Sequence, residues 1–130
     1  MPGFHCYNDY LQYQTYDVTS YLKRGDNLLS VYLGNGWYRG RLGYEGGFEK
    51  IFGDDLALIF EMYIEYVDGS EIVFFSDESC EVRSAPIIQS GIYDGEYYDA
   101  NKENSSMKLP LNIIEIDKRV YIQDIFIDKL

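Results

Sequence analysis

The sequence has little of what metal centres, disulfide frameworks and histidine-dependent active sites require. Its 130 residues include only two cysteines, Cys6 and Cys80, which lie far apart without a C-x-x-C spacing, and a single histidine, His5. Isolated cysteines imply neither metal nor redox chemistry, and we expect both to be buried or free thiols. Catalytic triads and dyads need a positioned imidazole, for which one histidine near the first residues offers almost no material.

Basic residues and long apolar runs are also scarce. Eleven lysines and arginines stand against 22 aspartates and glutamates, a formal charge of −11. A surface of that sign repels phosphate backbones, so we expect no nucleic-acid partner. No apolar run approaches the roughly 20 residues of a membrane helix, and residues 1–5 lack the pattern of a signal peptide. We expect no membrane partner, and the compartment is left open.

The chain is rich in aromatic residues, and parts of it alternate between apolar and polar positions. Fourteen tyrosines and 46% hydrophobic residues are far from the composition of disordered chains. At 130 residues, the length suits one domain that buries a core of its own. Residues 56–66 alternate between apolar and other positions, and Asp68-Gly69 then favours a tight hairpin with a return strand over Glu71–Phe75.

Further strands are predicted over residues 11–18, 28–33, 79–83 and 87–93, and a last hairpin over 111–116 and 120–127. A single helical turn is expected at residues 19–25, capped by Thr19 and ended by Gly25, and a loop at 101–108. Short strands without a long amphipathic helix predict an all-β fold, an antiparallel β-sandwich or jelly roll.

One segment, residues 34–43, suits a ligand-facing loop. It places four glycines around the only tryptophan, Trp37, together with Tyr38, Arg39 and Arg41. Glycines let a ligand approach the main chain, aromatic rings offer flat faces, and arginine offers a forked donor. If the segment is extended, Trp37 and Tyr38 point in opposite directions.

Several motifs in one order resemble a known family, the N-terminal β-sandwich domain of bacterial α-L-rhamnosidases. The resemblance covers roughly residues 1–100, and residues 101–130 are interpreted as a divergent C-terminal segment that forms a further hairpin. The motifs are Leu11-Gln12-Tyr13-Gln14-Thr15-Tyr16-Asp17-Val18-Thr19, Gly34-Asn35-Gly36-Trp37-Tyr38-Arg39-Gly40, Phe52-Gly53-Asp54, Asp68-Gly69, Asp77-Glu78-Ser79 and Ile92-Tyr93-Asp94-Gly95-Glu96.

The resemblance implies an accessory jelly-roll module of a glycoside hydrolase whose catalytic carboxylates belong to a separate (α/α)-barrel domain. The chain alone is therefore expected to hydrolyse nothing, and no residue is assigned a catalytic role. In some relatives a comparable domain binds rhamnose with the help of calcium. Family members usually carry a strand pair before the Tyr13 motif, so we expect a sandwich truncated at the N-terminus.

Seven residues are candidates for binding a rhamnose-containing carbohydrate: Asn35, Trp37, Tyr38, Arg39, Asp54, Asp94 and Glu96. The aromatic pair would stack on the apolar face of a deoxy sugar, or Trp37 would instead fill the space between two sheets. Arg39 and Arg41 would bind sugar hydroxyls, or would pair with carboxylates such as Asp54 or Glu96. Asn35 and Asp54 offer the oxygen ligands that calcium prefers.

Asp94 and Glu96 are also open to a structural interpretation, as a turn that holds neighbouring loops. Two functions remain in view at this point. The domain either binds rhamnose-containing carbohydrate or supports the catalytic domain of a parent enzyme. Alternatively it is a purely structural sandwich, whose unpaired edge packs on other domains or forms a homo-oligomer.

Overall fold

The structure is a computed structural model that describes residues 3–115 and 119–124. Its regular elements are short, and within the described residues the longest strand has five residues. The only α-helix among them, α1, covers Gly36–Arg39, and 3₁₀ turns lie at Thr19–Tyr21 and Ala100–Lys102. The strands are β1 Tyr10–Tyr13, β2 Glu61–Glu65, β3 Glu71–Phe75, β4 Val82–Arg83, β5 Ile87–Gly91, β6 Gly95–Tyr98, β7 Lys108–Leu109 and β8 Tyr121–Asp124.

These strands pair in twos. β2 with β3, β4 with β7 and β5 with β6 are antiparallel, whereas β1 and β8 are parallel. The all-β, mainly antiparallel fold class is thus confirmed. A layered sandwich or jelly roll stays a prediction, because no sheet of the described residues has more than two strands.

The hairpin predicted around Asp68-Gly69 is confirmed. β2 and β3 pair from Glu65 opposite Glu71 to Glu61 opposite Phe75. Gly69 has a φ of 81°, which a side chain would strain, and the Asp68 carboxylate accepts hydrogen bonds from the Ser70 N–H at 2.9 Å and its hydroxyl at 2.6 Å. This turn is local, so the sequence contains everything that specifies it.

The expectation that the chain buries a hydrophobic core of its own is wrong. No hydrophobic side chain of the described residues is buried, and the accessible surface is 11372 Å². A folded monomer of this mass exposes about 7,100 Å². In a two-stranded pair each strand has a neighbour on only one edge, and little of either face of the sheet is covered. Most apolar side chains of the strands therefore remain in contact with water.

Other predicted elements are shorter or missing. Residues 28–33 form no strand, because no other described strand lies beside them to complete a ladder. The strand predicted over residues 11–18 is confined to β1. The Thr19 side chain does not cap the 3₁₀ turn, whose N-cap is Val18, and the C-cap is Leu22 rather than Gly25.

The predicted last hairpin falls partly on residues 116–118 and 125–127, which lie outside the described residues. In the part that is described, residues 111–115 form no strand and β8 pairs with β1 instead. Both cysteines are free, as predicted. No described helix is long and apolar enough to cross a membrane.

Candidate functional site

The glycine-rich segment folds into the short helix α1 and not into an extended loop. The Asn35 carbonyl accepts the Arg39 N–H at 3.0 Å, and Gly36 begins the helix with a φ of 50°. Gly40, which is buried, ends it where a Cβ would overlap the Gly36 carbonyl. Since the segment is helical, the side chains of Trp37 and Tyr38 do not point in opposite directions, as they would in an extended strand.

Trp37 and Tyr38 instead line one cavity of about 800 Å³, together with Asn35. Its walls are largely apolar and aromatic. They come from residues 7–11, from the segment around α1, from residues 52–57 and from three residues near the end of the described chain. The remaining lining residues are Tyr7, Asn8, Asp9, Leu11, Leu33, Gly34, Gly36, Phe52, Asp55, Leu56, Ala57, Ile114, Arg119 and Val120.

Edge-to-face ring contacts hold the aromatic wall of this cavity. Trp37 is half-buried and meets Phe4 at 5.7 Å and Tyr93 at 6.2 Å between ring centroids. Tyr7 bridges the other side, 5.6 Å from Tyr38 and 5.0 Å from Phe52. Such contacts are favoured because the positive edge of one ring faces the negative face of the next, and they fix the orientation of each ring.

Gly53 lets the Tyr38 ring lie against the main chain. A Cβ at residue 53 would overlap the Tyr38 hydroxyl and the ring carbon that carries it. The glycine of the Phe52-Gly53-Asp54 motif therefore has a packing role, because it leaves space for an aromatic side chain of the cavity wall.

Arg39 and Asp54 pair with each other, as one of the two interpretations had it. Arg39 Nε lies 2.9 Å from Asp54 Oδ1, and Lys50 Nζ lies 2.7 Å from Asp54 Oδ2. The hydrogen bond from Lys50, followed by that from Arg39, holds the pKa of Asp54 below its usual value. Neither Arg39 nor Asp54 lines the large cavity.

This pairing bears on the calcium prediction for Asn35 and Asp54. Both carboxylate oxygens of Asp54 accept hydrogen bonds from cationic side chains, and Asn35 lies on the cavity wall. No cluster of three His, Cys, Asp or Glu side chains that could hold a metal occurs in residues 3–115 and 119–124. The calcium site at Asn35 and Asp54 therefore stays a prediction, and as a calcium ligand Asp54 would have to give up hydrogen bonds from Lys50 and Arg39.

Asp94 joins the β5–β6 turn to the segment after α1. Arg41 donates to Asp94 from Nη2 at 2.6 Å and from Nε at 3.3 Å, and its guanidinium lies 5.2 Å from the centre of the Tyr93 ring. The hydrogen bond from Arg41 lowers the pKa of Asp94. Arg41 thus pairs with a carboxylate, as one of its two interpretations had it, although the carboxylates named as examples were Asp54 and Glu96.

Glu96 lies on β6 beside a second, smaller cavity of about 380 Å³, whose walls include Gly34, Ser90 and Gly91. The structure therefore brings three of the seven candidates, Asn35, Trp37 and Tyr38, to one cavity, which the other four do not line.

Sequence reasoning missed several side chains of the large cavity. The sequence marks Tyr7 only as one of fourteen tyrosines and Phe52 only as part of the Phe52-Gly53-Asp54 motif. Asp9 and Asp55 gave no signal beyond their charge. The aromatic pair Tyr7 and Phe52 could have been suspected only by knowing that residues 7 and 52 meet, which no local pattern encodes.

Comparison with known proteins places this chain in a family. Residues 1–112 match the model of the alpha-L-rhamnosidase N-terminal domain. Similar proteins are alpha-L-rhamnosidases of Streptomyces avermitilis, 38% identical over 84% of this chain, and Formosa agariphila, 34% identical over 78%. An alpha-L-rhamnosidase of Alteromonas sp. is 30% identical over 84%.

A similar solved structure is the crystal structure of a native α-L-rhamnosidase from Aspergillus terreus. It matches 92% of this chain with a TM-score of 0.70 and 35% identity. The chain spans 15% of that protein, and only 10–12% of the three bacterial relatives. With residues 1–112 matched by its model, the chain belongs to the family of the alpha-L-rhamnosidase N-terminal domain.

Proposed function

We propose that this chain is a non-catalytic accessory domain that binds rhamnose-containing carbohydrate in the large cavity. The observation that carries the proposal is the joint exposure of Trp37, Tyr38 and Asn35 on the wall of that cavity. Its volume of about 800 Å³ is in the range of small-molecule sites, which are mainly apolar with a few polar groups.

The chemistry of the wall suits a deoxy sugar. The C–H face and methyl group of rhamnose are apolar and would stack on the Trp37 and Tyr38 rings. The Asp9 and Asp55 carboxylates would accept hydrogen bonds from the sugar hydroxyls, and the Asn35 amide would accept or donate them. Family membership supports the choice of sugar, because the named relatives are α-L-rhamnosidases.

The absence of catalysis is part of the same proposal. Glycoside hydrolysis needs two carboxyl groups across the scissile bond, one with a raised pKa. The pKa values of Asp54 and Asp94 are instead lowered by cationic neighbours, which keeps both groups ionised and engaged in hydrogen bonds. In a parent enzyme, hydrolysis would then be the work of another domain.

A fluorescence titration tests the binding proposal, because Trp37 is the only tryptophan. L-rhamnose should change the Trp37 emission saturably. L-mannose, which carries a hydroxymethyl group in place of the methyl, should bind more weakly. Tyr38→Ala should weaken rhamnose binding about tenfold, by loss of one stacking ring. The control Tyr44→Ala, at an exposed tyrosine outside the cavity, should leave binding unchanged.

A second candidate, packing against the catalytic domain of a parent enzyme, is favoured by the large accessible surface of 11372 Å². Apolar faces of this extent normally lie in interfaces. An unchanged Trp37 emission at every rhamnose concentration, with the chain folded by circular dichroism, would leave this candidate and contradict sugar binding.

A further inference from the structure

Residues 28–33, which we call the edge segment, run between two fixed points. Before the segment, the Asn27 side chain accepts the Lys23 N–H at 2.8 Å and donates to the Lys23 and Gly25 carbonyls. After it, the Asn35 N–H donates to Ser90 Oγ at 3.4 Å. Residues 26–35 contain no helix, turn or bend, so no such feature interrupts the backbone of the edge segment.

The edge segment is apolar, exposed and unpaired. Leu28 is 91% and Tyr32 70% exposed, and the other apolar side chains of the segment are about half exposed. No backbone hydrogen bond joins residues 28–33 to another part of the described chain. A row of free N–H and C=O groups with exposed apolar side chains is a template for another strand.

We propose that the edge segment pairs antiparallel with the same segment of a second copy of this chain. The register centres on Val31, which faces its own counterpart, with Leu29 opposite Leu33. Because side chains alternate along a strand, this register places Leu29, Val31 and Leu33 of both copies on one face. A shift by one residue would mix them with Ser30 and would lose that apolar face.

The exposed area and the lack of charged side chains in the edge segment suit a second copy as the occupant. The chain exposes roughly 4,000 Å² more than a typical monomer of its mass, whereas a stable interface needs only about 800 Å² from each partner. Residues 27–36 carry no charged side chain, so the pairing itself brings no like charges into contact. The net charge of −11 on each copy opposes association at long range, and salt screens this repulsion.

Size-exclusion chromatography with light scattering tests the proposal on the 130-residue chain. The mass should rise from 15.2 kDa toward twice that value with protein concentration, and more readily in high salt. Val31→Lys puts a charge at the centre of the ladder and should weaken association roughly tenfold or more. The matched control Val67→Lys, at a fully exposed hairpin turn, should weaken it less than about twofold.

Disulfide trapping tests the register without relying on the lysine variant. In a Cys6→Ser, Cys80→Ser background, Val31→Cys should form covalent dimers under a mild oxidant, and Val67→Cys should not. Four outcomes would overturn the proposal: a monomer at all concentrations, as expected if the edge is covered only by a parent enzyme; equal effects of both lysine variants; association that weakens in salt; or equal trapping of both cysteines.

Discussion

At the scale of the residue, Gly53 shows how one small side chain shapes the cavity. Its lack of a Cβ is what allows the Tyr38 hydroxyl and ring to lie against the main chain. Ring orientation in turn fixes the face that a sugar would meet. The affinity for rhamnose should therefore depend on a residue that does not itself line the cavity.

Gly53→Ala tests this dependence. The added methyl group should displace Tyr38 and weaken L-rhamnose binding by about fivefold, the equivalent of about 1 kcal/mol for one misplaced aromatic contact. Gly3→Ala is the matched control, because a Cβ at Gly3 meets nothing within 4 Å. Equal affinities of both variants and the parent chain, measured by Trp37 emission, would contradict the role given to Gly53.

The same scale shows which residue roles a sequence predicts. Of the two interpretations of Arg39 and Arg41, sugar binding or pairing with carboxylates, the structure shows the pairing, for which an acidic chain offers many partners. Which carboxylate each one takes depends on the fold: Asp54 lies 15 residues from Arg39, and Asp94 lies 53 residues from Arg41. Only the tertiary arrangement selects between them.

At the scale of the element, the Arg41–Asp94 pair joins the segment after α1 to the β5–β6 hairpin. Tyr93 belongs to the same connection, since its ring contacts both the Arg41 guanidinium and Trp37. This connection should keep the indole in a constant environment. Because Arg41 lowers the pKa of Asp94, the pair persists at neutral pH and is lost only as the pH falls through that lowered pKa.

Asp94→Asn should loosen this connection at every pH. We expect the Trp37 emission to move to longer wavelength and the thermal transition to occur at lower temperature, as the indole becomes more exposed to water. Asp26→Asn, at an exposed aspartate, is the control. In the unsubstituted chain, the Trp37 emission should be constant from neutral pH to about 4 and should shift below that pH. An Asp94→Asn spectrum identical to that of the parent would rule out this connection.

The elements also differ in how far sequence predicts them. The β2–β3 hairpin was predicted because its turn, Asp68-Gly69, and its alternation are local. Residues 28–33 alternate equally well, yet form no strand within the described residues, because a strand also needs a neighbour. The helix α1 was missed since four glycines within ten residues are typical of a loop.

For the whole molecule, the sequence predicted the all-β, mainly antiparallel fold class but not the lack of a buried core. Alternation and turn residues indicate an all-β chain, and three of the four described strand pairs are antiparallel. Whether the strands enclose a core depends on how pairs stack, which short alternating runs leave open. The cavity likewise depends on the meeting of residues 7–11, 33–38 and 52–57, three segments distant in sequence.

Isothermal titration calorimetry of L-rhamnose into the folded 130-residue chain, with and without calcium, measures sugar binding by this domain directly. We expect a saturable heat for one site per chain. Because Asp54 is engaged by Arg39 and Lys50, this heat should persist when calcium is removed with a chelator. No heat at millimolar sugar in either condition would contradict the claim that the cavity beside Trp37 is a rhamnose site.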